Sequence, residues 1–144
     1  MEQVIKKLNV LYYGQMVFAC MIWGVMVYAF QHGLYEPLDI YSRSGIAVQY
    51  CIIIDALVSI PLGLYLVKMC KPTTDRAYFK LAAARILLVS NAMPLGIFAF
   101  YWMGGYRSML WVAAIAAIAL CFAKPTRGKM EQEMTPEDPN MPTY

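Results

Sequence analysis

Residues 46–67, IAVQYCIIIDALVSIPLGLYLV, hold one charged side chain, Asp55, in an otherwise apolar run closed by Lys68, Lys71 and Pro72. About 20 residues at a rise of about 1.5 Å cross a hydrocarbon core of about 30 Å, so this run reads as a membrane-spanning helix. Three similar runs lie on either side of it. The first goes from Leu8 to about Phe30, after Lys6 and Lys7, and stops at Gln31-His32-Gly33. A secretory signal would hold about 7–15 apolar residues and a small-residue cleavage site, which Val27-Tyr28-Ala29-Phe30 does not supply, so this run counts as a helix. The third runs from about Leu81 to Trp102 and ends at Gly104-Gly105. The fourth, Ser108 to Ala123, is short for a span, so it stands close to the membrane normal or draws on Tyr106 and Arg107 as interfacial residues.

The composition agrees. The chain has 144 residues, 60% hydrophobic and 15% charged, which is too apolar for a soluble domain of its size to hide. The expected fold is an all-α membrane protein, a four-transmembrane-helix bundle of two antiparallel hairpins joined by short loops. Residues 1–128 form the transmembrane domain, with spans at about 8–30, 46–67, 81–102 and 108–123. Residues 129–144, which include Thr-Pro-Glu-Asp-Pro-Asn-Met-Pro, form a flexible cytoplasmic tail in which Lys129 to Met134 has the composition for one or two helical turns.

Basic residues beside the runs set an orientation. Lys6, Lys7, Lys68, Lys71, Arg76, Lys80, Lys124, Arg127 and Lys129 fall on one side, and Arg43 and Arg107 on the other. The rich side is cytoplasmic, which places both termini inside. Tyr28, Tyr41, Tyr101, Trp102 and Trp111 then mark the outer boundary, and Tyr12, Tyr13, Tyr65 and Tyr78 the inner one. A bacterial inner membrane suits this pattern. Between the first two spans, Leu34, Leu38 and Tyr41 recur at helical spacing; a loop resting on the helix ends is favoured over a short amphipathic helix on the outer surface.

Polar residues within the runs are the candidate site. Asp55 lies about thirteen residues from Lys68, roughly 20 Å from the inner boundary, where a carboxylate costs about 2.5–3.5 kcal/mol on insertion scales. It must be protonated, paired, or beside a protein-lined or wet space. Cys51 and Ser59 lie one turn to either side on the same face, and Pro61 removes a helical donor from the carbonyl of Leu57. In the third run, Ser90 and Asn91 lie nearer the level of Asp55, and Pro94 frees the carbonyl of Ser90. Asn91, or Ser90, is therefore the expected hydrogen-bond partner of a protonated Asp55. Arg85, roughly 7 Å inside Lys80, is expected to snorkel to phosphates, with a water-bridged link to Asp55 as the lesser alternative.

Catalytic patterns are missing. Cys20, Cys51, Cys70 and Cys121 form no closely spaced pair and read as small buried hydrophobes, His32 is the single histidine, and no glycine-rich phosphate loop or HExxH occurs. No metal or cofactor is expected, and no enzyme. Small multidrug exporters share the helix count but carry an essential glutamate in helix one, and Leu8–Phe30 has none. The alanine-rich fourth run, Ala113 to Ala119, reads as a packing surface.

Three functions fit. The first is a protein acting by helix–helix contact, as an accessory or assembly subunit of a membrane complex. The second is a small oligomeric proton- or ion-coupled transporter in which Asp55 cycles between protonation states. The third is a lipid- or hydrophobic-ligand-binding protein lined by Asp55, Asn91 and Arg85. The expected partners are the bilayer and either another membrane protein or a second copy, with no nucleic acid.

Overall fold

A computed structural model describes residues 2–134, which form five helices: α1 (Glu2–Gln31), α2 (Arg43–Cys70), α3 (Asp75–Trp102), α4 (Arg107–Phe122) and α5 (Arg127–Met134). No strand occurs among the described residues. Three of the helices, α1 to α3, are each long and apolar enough to cross a membrane. The 16 residues of α4 fall short alone; α4 and α5 are long and apolar enough only together, across a bend of 76°. The expected runs all lie within helices, apart from Ala123 just past α4, and the first three helices are longer than those runs because their polar flanks continue the helical turns. The alternation of apolar and charged residues at a bilayer boundary does not stop a helix; capping does.

The ends are set by local chemistry. Ser42 caps α2, its Oγ accepting from the Gly45 N–H at 3.0 Å. Lys71, in the left-handed region at φ 39°, ends the same helix one residue before Pro72. Gly104 and Gly105, at φ 64° and 90°, supply the turn between α3 and α4 that a side chain would strain. Residues 32–42 form a loop without helix. Leu38 donates its N–H to the Trp102 carbonyl at 2.8 Å, and Leu38 and Ile40 pack on the core, while Tyr41 is exposed.

α3 is the hub, since α1, α2 and α4 all pack on it. Small residues make that arrangement fit: Ala82, Ala92, Gly96 and Ala99 are buried along its length. A Cβ on Gly96 would lie 2.8 Å from the Ala113 nitrogen and 3.0 Å from the Met109 carbonyl, so α3 and α4 touch at backbone distance. A Cβ on Gly63 of α2 would lie 2.7 Å from Val89 Cγ2. One core cluster joins Leu8, Val67, Tyr78, Ala123 and Met130, and the lysines and arginines flanking those residues are thereby gathered at one end. A second cluster, around Ile52, Ala99, Met103 and Met109, fills the other end.

Gly96→Ala is expected to cost about 1–3 kcal/mol, because the obstructing atoms are backbone and cannot rotate away. Gly24→Ala, where a Cβ meets nothing within 4 Å, is expected to be neutral or slightly stabilising. Thermal melting of the two variants in detergent distinguishes them.

Candidate functional site

Two polar groups built around a charged side chain interrupt the apolar bundle, at different levels and on different faces. At the first, α2 and α3 bring Asp55 and Asn91 together, with Asn91 Nδ2 donating to Asp55 Oδ2 at 3.4 Å. Asp55 is half-buried and Asn91 exposed. Around them the surface is apolar: Leu87 and Phe98 lie one and two turns from Asn91 on the same face of α3, and Val58 and Leu62 flank Asp55 on α2, all four exposed. A primary amide has two donors and a carbonyl with two lone pairs, so this one bond leaves most of the capacity of Asn91 directed outward.

The other expected members separate from this pair. Ser90 turns to the α1 side, where its hydroxyl reaches Gln15 Oε1 and the Leu87 carbonyl, both at 3.3 Å. Ser59 is buried one turn from Asp55 with no hydrogen-bond partner for its Oγ. Neighbouring positions on a helix differ by about 100°, which is why Ser90 and Asn91 serve different neighbours. The cysteines depart from expectation as well: all four are free and exposed, on the outward faces of α1, α2 and α4.

The second group forms where α5 folds back under the bundle. Arg85 does not reach the surface; it is 2% exposed, and its Nη1 donates to Glu133 Oε1 at 2.6 Å. The Tyr78 hydroxyl donates to the other carboxylate oxygen, Oε2, at 3.0 Å. Met130, buried one turn before Glu133, seats α5 against the core. Lys129 donates to the Phe122 carbonyl at the end of α4. Its ammonium is pushed below the usual lysine range, first by burial and then by the positive charge of Arg85, with Glu133 opposing. Three buried side-chain atoms here and on α1 have no hydrogen-bond partner: Arg85 Nε, Arg85 Nη2 and Asn9 Oδ1.

Arg85 and Asp55 are therefore not one cluster, and no hydrogen bond or ion pair joins them among the described residues. The partner that sequence reasoning missed is Glu133, because the break drawn after residue 128 assigned it to a free tail. The signal was available: Met130 and Glu133 are three residues apart, hence on one face of a helix, and an arginine inside an apolar run calls for an acid. Residues 135–144 of that tail lie outside the described residues.

No three His, Cys, Asp or Glu side chains converge as a metal site among the described residues. No family model, curated protein or solved structure matches the chain.

Glu133→Ala leaves the buried guanidinium without its counter-charge and is expected to cost about 3 kcal/mol. It should also loosen α5, so a cysteine placed at Met130 should react with a maleimide several-fold faster in that background than with Glu133 intact.

Proposed function

We propose that the chain is a small integral membrane protein that acts by contact, as an accessory or assembly subunit of a membrane complex. It crosses the bilayer four times as two antiparallel hairpins, with both termini and the basic end in the cytoplasm and α5 lying at that boundary. A bacterial inner membrane fits the placement of lysine and arginine.

The observation that carries this reading is the Asn91–Asp55 pair on the outer surface of the bundle, 3.4 Å apart within an apolar field. Hydrocarbon offers no hydrogen-bond partners, so polar side chains at that depth ordinarily face protein or water. The outward amide of Asn91, beside Leu87 and Phe98, suits a neighbouring helix that carries a polar group of its own. Ala113 of α4 is engaged with Gly96 of α3 inside the chain, whereas the α2–α3 face combines exposure with a polar pair that includes a carboxylate.

Gentle purification from native membranes tests this. Expected is a second protein in fixed ratio, which Asn91→Leu reduces about tenfold while leaving the melting temperature in detergent unchanged; isolation of the chain alone as a dimer with the Asp55 faces together would instead favour the transporter reading.

A further inference from the structure

The guanidinium of Arg85 has two edges that can meet an oxyanion, and only one nitrogen, Nη1, is engaged, by Glu133. The other edge, Nε together with Nη2, is buried and has no hydrogen-bond partner. That edge is the side-on fork of arginine, two parallel N–H groups whose spacing matches two oxygens of a carboxylate or phosphate. Leaving two buried donors of a charged group unmade costs more than the hydrogen bonds themselves would contribute. The local charge has the same sense: Arg85 and Lys129 bring two positive charges against the carboxylate of Glu133, and the bundle end around them carries Lys68, Lys71, Arg76 and Lys80 against Asp75 and Glu131.

We propose that Arg85, through its Nε–Nη2 edge, with Lys129 beside it, forms a binding site for a phosphate group at the basic end of the bundle. α5 covers this site, with Glu133 held on Nη1 and Tyr78, and the phosphate enters as α5 shifts. The chemistry is that of a phosphate mono- or diester, and two sources carry it: the headgroup of a membrane lipid, or a free phosphate. Arg85 lies roughly 7 Å inside Lys80 along the helix rise, within reach of the headgroup layer if the basic end marks the bilayer surface. Glu133 is a competing anion for the same guanidinium, so it lowers phosphate affinity while it stays docked. The site is separate from the Asp55–Asn91 face, and the outcome of a test on one leaves the other standing.

The test uses the full chain, stripped of lipid in a phosphate-free detergent, with inorganic phosphate and phosphatidylglycerol as separate probes, read by thermal shift and by native mass. A stabilising shift and a retained adduct with phosphatidylglycerol identify a lipid headgroup; a shift with inorganic phosphate and no lipid adduct identifies free phosphate. In either case Arg85→Lys, which keeps the charge but removes the fork, should weaken binding about tenfold or more, and Glu133→Gln should tighten it. No shift with either probe overturns the proposal, as does an equal shift in the wild type and Arg85→Lys. Should Arg85→Lys fail to fold, Glu133→Gln decides, since unchanged affinity in that variant means that the guanidinium is not the binding group.

Discussion

A charged guanidinium surrounded by apolar helices is tolerable only with a counter-charge and hydrogen bonds, and the arrangement of this chain around α3 follows that requirement. Arg85 sits on the buried face of the helix on which α1, α2 and α4 all pack, so it cannot be moved to the surface without dismantling the core. Its partner comes from the far end of the chain: α4 ends at Phe122, the chain turns through 76°, and α5 returns Glu133 to Arg85 and Tyr78. The same return buries Met130 and places Lys129 on the Phe122 carbonyl at the end of α4. A segment with the composition of a solvated tail is in this way tied to the core by the Glu133 carboxylate and by Met130 and Met134.

The helices were legible in the sequence because spans are long and apolar, and their periodicity needs no partner to be read. Asn91 as a neighbour of Asp55 could be argued as well, since rise per residue alone puts the two near one level, and they lie 3.4 Å apart. Depth could not say which way a side chain points. Ser90 and Asn91 are adjacent in sequence yet face α1 and α2 respectively, and the fate of each depended on which helices surround α3. Arg85 was the harder case: its distance from Lys80 allowed snorkelling, and only the docking of α5 shows why it stays inside. The cysteines mark the opposite failure, where a residue type that favours burial lies on outward faces because the outside of such a bundle is itself an apolar surrounding.

The two polar groups divide the molecule by role. Around Arg85 the hydrogen bonds close inward and stabilise the chain itself. At Asp55 and Asn91 they open outward, on a face of α2 and α3 where, among the described residues, Asn91 is exposed and Asp55 half-buried. A polar pair left open on one outer face suits the proposed contact with another helix within the bilayer, since an interhelical hydrogen bond there replaces contact with hydrocarbon.

The most direct measurement of that claim is photo-crosslinking in native membranes from a benzophenone side chain placed at Leu87, the exposed position one turn from Asn91 on the same face of α3. The account predicts a crosslink to a second protein, which Asn91→Leu reduces about tenfold. Adducts to lipid alone, with Asn91 intact, would show that this face meets only lipid, and would contradict the account.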